Sequence, residues 1–338
     1  MDAMIEDMFA RLMAEHCTPA IVRKVEDGKG REAAAALDAL WSEIVQTGLH
    51  DALVPEDLGG IGLTLADLVP VFRLVGAHAS PLALAETMVA RAILAGAGVD
   101  APDGTIVLAS APEGSDDRVE TPVVPLARTA SHILVDCGAR MGLFAIGPEK
   151  VTASGGRYSL SARLSFDRGA ASAWLDPPAT LRPIAALLHA AKMSGAMRKL
   201  LEMSVDYANL REQFGRPIGR FQAIQHQLSV MAEEVAAATM AVEVACDGAR
   251  DGLWPDVLKA AMAKERTSAV APSVSAAAHA VHGAIGISAE HDLHLLTRRL
   301  HEWRVAEGAE SYWAREIGIA LLSSEERAVD FIRLALAS

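Results

Sequence analysis

Apolar residues recur every three or four positions in the first and last parts of the chain, and this spacing predicts amphipathic helices. In the first part the pattern occupies residues 33–49 and 65–80, on the two sides of a glycine-rich turn at residues 54–64. In the last part it runs through segments of about 20 to 30 residues, lengths typical of a helical bundle. The pattern therefore predicts an N-terminal helical domain over residues 1–103 and a C-terminal four-helix bundle over residues 181–338.

Four segments are candidates for the helices of this bundle. The first carries apolar residues between positions 184 and 205, with Gly195 allowing a close approach to another helix. Residues 255–281 and 308–335 supply two more helices, and Pro255 suits the first turn of the former. The remaining helix shows the pattern best, because its apolar residues form one continuous stripe. That stripe is Phe221, Ile224, Leu228, Met231, Val235, Ala238 and Val242.

Residues 104–180 have a different texture. Short runs rich in Val, Ile, Leu and Phe alternate with Pro and Gly, a pattern typical of β-strands joined by turns. The runs are residues 104–110, 121–127, 131–138, 142–147 and 157–166. This stretch of about 75 residues predicts a small middle β domain.

Composition agrees with a mainly helical protein and excludes several function classes. Of the 338 residues 51% are hydrophobic but only 4% aromatic, so the core is built mainly from aliphatic side chains that favour helices. The net charge of -12 disfavours nucleic acid and anionic membranes as partners, because both attract basic surfaces. Three cysteines, odd in number and in no CxxC pair, indicate neither a disulfide framework nor a zinc site, and from the sequence we expect neither a leader nor a membrane-spanning run. We therefore expect a cytoplasmic protein without a metal site.

Periodicity does not explain the residues that precede the most regular bundle helix, in the segment REQFGRPIGRFQ. Arg211 offers a planar fork of donors suited to phosphate, and Phe214 offers a flat apolar face. Gln222 has an amide that pairs with an adenine edge or a phosphate oxygen. Together these residues, here termed the clasp, are typical of a nucleotide site. The alternative is a solvated loop whose Phe packs into the bundle.

Three motifs resemble the acyl-CoA dehydrogenase family. They are RxxFGxxIxxxQ from Arg211, VPEDLGGIGLTLADL at residues 54–68 and HGAIGISAEHDLHLLTRRL at residues 282–300. The resemblance covers nearly the whole chain and implies the order helical domain, β domain, four-helix bundle. In that family the clasp contacts the FAD of a neighbouring subunit. The resemblance therefore implies FAD binding by the clasp and by Gly283 of the third motif.

The resemblance also implies a catalytic base. The family removes the α-proton of an acyl-CoA thioester with one carboxylate while the β-hydride moves to the flavin, and a dry site raises the basicity of that carboxylate. The family's commonest catalytic Glu falls on Glu307, and Gly308 matches as well. Some members place the base on the first bundle helix, where this chain has Ala185, which cannot serve. The alternative for Glu307 is a solvated acid near a helix start.

Departures from the family pattern lie mainly on the flavin-ring side. The segment SAPEGSDD keeps only Gly114, Ser115 and Asp116 of a family loop, and no strand with the family's WITN pattern follows it. Ala280, just before the third motif, and Ala284 within it stand where the family has Gln and Gly. These departures indicate that the chain does not enclose a flavin by itself and shares FAD with a longer partner subunit of the same family.

The resemblance thus implies a subunit of an α2β2 acyl-CoA dehydrogenase that desaturates an acyl-CoA, with steroid side-chain CoA esters as one candidate and an electron-transfer flavoprotein as acceptor. Two alternatives stay open. One is a non-catalytic stabilising subunit of such a complex, in which Glu307 is a relic. The other is a flavin-dependent oxidase or monooxygenase on the same fold. We interpret the C-terminal histidines as structural and Arg298, Arg299 and Arg304 as a solvated helix face.

Overall fold

The computed structural model describes residues 3–28, 30–111 and 117–337, and in this part of the chain helices dominate. The first region is purely helical, the middle region consists of short strands, and the last region returns to helices. The helices of the first region are α1 (Ala3–His16), α2 (Pro19–Glu26), α3 (Gly30–Thr47), α4 (Leu65–Ala77) and α5 (Leu84–Gly96). None of the helices in these described ranges has the length and apolar character needed to cross a membrane.

The start of α4 shows how the glycine-rich turn passes into a helix. Thr64 is the N-cap, and its hydroxyl oxygen accepts a hydrogen bond from the backbone N–H of Asp67 (3.2 Å). The Asp67 carboxylate in turn accepts from the backbone N–H of Thr64 (3.0 Å). This reciprocal capping box satisfies two N–H groups that the first turn would otherwise leave unpaired.

The middle region contains two small sheets. Its strands are β1 (Ile106–Ser110), β2 (Arg118–Glu120), β3 (His132–Asp136), β4 (Met141–Ala145), β5 (Val151–Ala153), β6 (Ala162–Asp167) and β7 (Ala173–Leu175). One sheet has the order β1-β3-β4-β7, with β1 and β3 parallel, and the other has the order β2-β6-β5. Phe144 and Phe166 stack with their ring centroids 4.7 Å apart and join the two sheets through a common core.

The strand predicted at residues 121–127 is wrong. Only Val124 forms a bridge, with Ala162, and the rest of the segment is irregular. Pro122 and Pro125 explain the difference, because proline has no N–H to donate to a strand ladder. The other predicted runs overlap β1, β3, β4 and β6.

The C-terminal region forms the bundle. Its elements are α6 (Leu181–Leu210), the hairpin strands β8 (Glu212–Gln213) and β9 (Arg216–Pro217), α7 (Gln222–Cys246), α8 (Val257–His282), α9 (Ala284–Ile287), α10 (Leu293–Val305), α11 (Glu310–Leu322) and α12 (Ala328–Ala337). Residues 308–335 form two helices, α11 and α12, separated by residues 323–327, so the single helix predicted there is wrong. Pro255 also lies outside α8, because Asp256 is the N-cap and accepts from the N–H groups of Leu258 and Lys259 (2.9 Å each).

Close contact between α4 and α6 joins the N-terminal region to the bundle. A Cβ on Gly195 would lie 2.0 Å from the carbonyl oxygen of Arg73, and one on Gly76 would lie 1.9 Å from that of Lys192. Each helix therefore places a glycine against the backbone of the other. The close approach predicted at Gly195 is confirmed, with α4 as the partner helix.

A buried ion pair joins α2 to α10. Arg299 is buried, and its guanidinium lies 3.0 Å from a Glu26 carboxylate oxygen and donates to Glu302 (3.0 Å). Arg298 also pairs with Glu26. The interpretation of this arginine cluster as a solvated face is therefore wrong for Arg299, whose charge is compensated inside the protein.

We predict that Gly195→Ala lowers the free energy of unfolding by about 1 to 3 kcal/mol, because the added methyl group collides with the α4 backbone. Gly318→Ala is the matched control within α11, where an added Cβ meets no atom within 4 Å. That change should raise the free energy of unfolding by roughly 0.5 to 1 kcal/mol through helix propensity. Urea denaturation measures both, and equal midpoints would contradict the close packing of α4 on α6.

Candidate active site

Glu307 lies in the short connection between α10 and α11 and has an unusual backbone. Its φ is +53°, and Gly308 follows with a φ of +104°. A Cβ on Gly308 would lie 2.7 Å from the Tyr312 ring, so only glycine fits this position without movement. The indole N–H of Trp313 donates to the carbonyl oxygen of Glu307 (3.1 Å). Left-handed backbone costs a non-glycine residue of order 1 kcal/mol, and these contacts hold it in place.

The Glu307 carboxylate points into the contact between the bundle and the middle region. One oxygen accepts from the backbone N–H of Ser110 (2.9 Å), and the other lies 3.6 Å from Nε of Arg182. Its side chain is only 6% exposed, which excludes the solvated-acid alternative. Burial raises the pKa of Glu307 above the ordinary value, while the hydrogen bond from the Ser110 backbone N–H and the Arg182 charge oppose that rise. The result is a desolvated carboxylate with one cationic neighbour.

A cavity of about 310 Å³ is lined by Ser110 and Arg182, the two residues that contact the Glu307 carboxylate. Ser110, Asp136, Arg182 and Tyr312 are among the residues that line it. The Arg182 guanidinium donates to the Tyr312 hydroxyl (3.1 Å), and its Cζ lies 5.3 Å from the centroid of that ring. Asp136 accepts from the backbone N–H of Leu181 (2.8 Å), which ties the start of α6 to β3. The lining therefore combines the buried carboxyl group of Asp136, the Arg182 cation and the aromatic ring of Tyr312.

The clasp lies on the surface at the far end of α6. Arg211 is the residue after this helix, and β8 and β9 follow as a hairpin whose two turn residues, Phe214 and Gly215, have φ values of +52° and +78°. Positive φ at both positions is the signature of a type I′ turn. Phe214 is 92% exposed, so the alternative in which it packs into the bundle is wrong. Gln222 is the exposed first residue of α7.

Gly283 lies at the same end of the bundle as the clasp. It ends α8 with a φ of +61°, and a Cβ at this position would meet no atom within 4 Å. The preceding residue, His282, stacks on Tyr207 of α6 with ring centroids 4.6 Å apart. All four residues expected to bind the cofactor are thus placed around one exposed end of the bundle. Their role in binding stays a prediction.

Glu307 lies at the other end of α6 from the clasp. Arg182, which contacts Glu307, is in the first turn of this helix, whereas Arg211 directly follows its last residue. At 1.5 Å per residue the two positions are about 43 Å apart. One FAD molecule therefore cannot contact both the clasp and Glu307 of one chain, in agreement with the family, in which the clasp contacts the FAD of a neighbouring subunit.

Sequence reasoning missed three groups around Glu307. Ser110 contributes only its backbone N–H, which no side-chain pattern reveals. Arg182 precedes Pro183 at the start of α6 and carries no motif. Lys264 has a usable signal, since it is a charged residue in phase with the apolar stripe of α8. Of the predicted remnants, Gly114, Ser115 and Asp116 lie outside the described residues. Within the described ranges no group of three or more metal-binding side chains is present.

Comparison with known proteins identifies the family. Residues 184–322 match the family model for the acyl-CoA dehydrogenase C-terminal domain. The chain is also 31% identical over 306 residues to acyl-CoA dehydrogenase IpdE2 of Mycobacterium tuberculosis (strain ATCC 25618 / H37Rv), covering 88% of this chain and 90% of that relative. The chain belongs to the acyl-CoA dehydrogenase family. The predicted family is thus confirmed, and membership implies a flavoprotein oxidoreductase with FAD as cofactor.

Two solved structures share the acyl-CoA dehydrogenase fold of this chain. The ChsE4-ChsE5 complex from Mycobacterium tuberculosis aligns with a TM-score of 0.71 at 21% identity, covering 95% of this chain and 97% of that chain. A Tcur3481-Tcur3483 steroid ACAD aligns with a TM-score of 0.74 at 24% identity, covering 99% of this chain and 98% of that chain. The predicted fold class, mainly helical with a small β region and a C-terminal bundle, is confirmed.

We predict opposite effects of Phe214→Gly on folding and on cofactor retention. Glycine adopts positive φ without strain, so the free energy of unfolding of the chain should stay unchanged or rise by up to about 1 kcal/mol. Flavin retention by the assembled enzyme should fall, because the exposed aromatic face is lost. Denaturation and flavin absorbance after gel filtration measure the two effects.

Met240→Ala is the control for this change, since it removes an exposed apolar side chain from α7 away from the clasp. It should leave flavin retention unchanged. Equal flavin retention in Phe214→Gly and the unmodified chain would contradict the assigned role of the clasp.

Proposed function

We propose that this chain is the shorter subunit of a heteromeric, FAD-dependent acyl-CoA dehydrogenase that acts with a longer subunit of the same family. The observation that carries the need for another chain is the separation of about 43 Å along α6 between the clasp and Glu307, and the longer partner is inferred from the lack of a WITN-like strand in the sequence. Each end of the helix faces a different site, so each site needs residues from another chain. The structurally similar ChsE4-ChsE5 complex is, by its name, an assembly of two different chains, which supports the same interpretation.

The residues of this chain fit one part of FAD better than the other. At the clasp end, Arg211 and Gln222 offer exposed polar groups, Phe214 offers an exposed ring, and the space beside Gly283 is open. These groups suit the adenine and pyrophosphate of FAD held mainly by a partner. In the middle region, residues 124–127 are buried in the core of that region, and the sequence after SAPEGSDD has no WITN-like strand to form a wall beside a flavin ring. The longer partner therefore supplies that wall.

Glu307 is the proposed base. When bound, FAD would supply the acceptor for the hydride that leaves the β-carbon of the acyl group in the family reaction. The Glu307 carboxylate accepts the α-proton, which leaves a carbon–carbon double bond between the α- and β-carbons. Arg182 favours the ionised carboxylate before the reaction, and burial strengthens its basicity. For the transfer, the carboxylate turns from the Ser110 N–H toward substrate in the adjacent cavity.

The proposed substrate is an acyl-CoA thioester, and the proposed electron acceptor is an electron-transfer flavoprotein. A steroid side-chain CoA ester is the first candidate to test. Its support is the name of one structural neighbour, a steroid ACAD, together with the loss of paired sites expected for a shorter subunit. An assembly with fewer active sites than subunits has more room at each site for a bulky ring system than an assembly with one site per subunit.

Co-expression with a longer acyl-CoA dehydrogenase encoded beside this chain tests the proposal. We expect an α2β2 assembly by native mass spectrometry, with flavin present in the complex and absent from this chain alone. Glu307→Gln in the complex should lower turnover by about 100-fold or more, as expected for loss of a general base. An unchanged rate would instead identify a stabilising subunit, and an active yellow enzyme formed by this chain alone would refute the need for a partner. Rapid oxygen consumption without an acceptor would indicate an oxidase.

The Arg182 charge predicts a shift in pH dependence. Arg182 lowers the pKa of Glu307, so Arg182→Gln should raise that pKa, and a base needs its ionised form. The acid limb of kcat/KM should therefore move to higher pH, by a modest amount because the guanidinium is partly screened by solvent. Arg198→Gln, an exposed change in the middle of α6, should leave the limb in place. A shift to lower pH in Arg182→Gln would refute this assignment.

A further inference from the structure

A fully buried lysine interrupts the apolar stripe of α8. The stripe consists of Ala260, Lys264, Thr267, Ala271, Val274 and Ala278, all buried and three or four residues apart. Lys264 is 0% exposed, and burial lowers its pKa to about 7. A charged group in such a position is unfavourable unless its hydrogen bonds are satisfied.

The three N–H groups of the Lys264 ammonium all find acceptors. The ammonium donates to the carbonyl oxygen of Trp303 (2.9 Å), to that of Arg304 (2.7 Å) and to the hydroxyl oxygen of Ser268 (3.0 Å). The Ser268 hydroxyl also donates to the Arg304 carbonyl oxygen (3.3 Å). Trp303 and Arg304 are in the last turn of α10, where carbonyl groups lack helical partners and a cation is favoured by the helix dipole. Lys264 therefore fixes the end of α10 from inside the bundle.

The segment fixed in this way leads directly to Glu307. Arg304 lies three residues before Glu307, which has a positive φ and whose carboxylate accepts a hydrogen bond from Ser110. On the far side of the turn, Trp313 holds the carbonyl oxygen of Glu307. The Arg304 side chain also donates from Nε to Glu310 (3.0 Å), which spans the turn. Lys264 and Trp313 thus hold the two sides of a short, strained connection.

We propose that Lys264 is a positioning residue for the Glu307 carboxylate. This inference rests on the proposed role of Glu307 as the base. Lys264 touches neither the carboxylate nor the cavity. Lys264 acts through the backbone. It fixes the position of the last turn of α10, from which residues 305–308 lead toward β1. Small errors in the placement of a catalytic group cost large factors in rate, so the effect of losing this contact should appear in kcat.

Lys264→Met in the assembled, FAD-containing complex tests the inference, because methionine keeps an unbranched chain and removes the donors. We expect kcat per bound flavin to fall about 10- to 100-fold, with KM within about twofold of the unmodified enzyme. A purely structural role would lower the yield of complex but leave kcat per bound flavin unchanged. Lys199→Met, in the exposed part of α6, is the matched control and should change neither constant.

Ser268→Ala is the second variant, used in case Lys264→Met does not assemble. It keeps the charge and removes one acceptor of Lys264 and one donor to Arg304. We expect a fall in kcat of about fivefold in the same direction. Unchanged kcat per flavin in these variants, beside a large loss in Glu307→Gln, would overturn the inference while leaving the proposed function intact. An unchanged rate in Glu307→Gln would instead overturn the proposed function.

Discussion

A single unbroken helix determines where every other part of the site can lie. α6 spans Leu181–Leu210 and packs against α4, α7, α8 and α10. Its first turn is tied to the middle region through the Asp136 carboxylate, and its last turn leads into the clasp hairpin. Because a helix is stiff over this length, the two ends have a fixed separation and a fixed relative orientation. The two functional regions therefore belong to one rigid body.

Buried charges connect this helix to its surroundings. Lys192 of α6 pairs with Glu86 of α5 and lies 5.2 Å from the centroid of the Trp303 ring of α10. Glu26 and Arg299 make a similar link between α2 and α10. Pairs of this kind contribute little net stability compared with apolar packing, but removing one member destabilises a protein by about 3 to 5 kcal/mol. Such pairs favour one arrangement of the elements over alternatives with similar hydrophobic contacts.

Sequence patterns predicted the helical regions well because the packing there is regular. The stripe of α7 is buried from Met231 to Val242, as the spacing requires. The β region was harder, since strands of three residues such as β2 and β5 are too short to show alternation, and the prolines near Val124 interrupt a run that otherwise resembles a strand. Local patterns carry no information about which distant residue compensates a buried charge.

The candidate site was predictable in its motifs and not in its contacts. The resemblance led to Glu307 and the clasp residues, because these have characteristic neighbours in the chain. Their separation along α6 follows from the sequence only once the helix is known to be continuous. The Ser110 N–H and the Lys264 ammonium act through backbone groups, so residue identity alone could not reveal their partners. Compensation of the buried Arg299 likewise depends on Glu26, which is remote in sequence.

Because α6 is continuous, the number of its residues also sets the angle between the directions in which its two ends face. Each residue added to or removed from a helix rotates everything beyond it by about 100° and shifts it by about 1.5 Å. A single insertion between Arg182 and Arg211 would thus turn the clasp hairpin toward a different neighbour while Glu307 kept its place. The number of residues in this helix is consequently fixed by the geometry of its two ends, and natural variants should accept substitutions along it far more readily than changes in length.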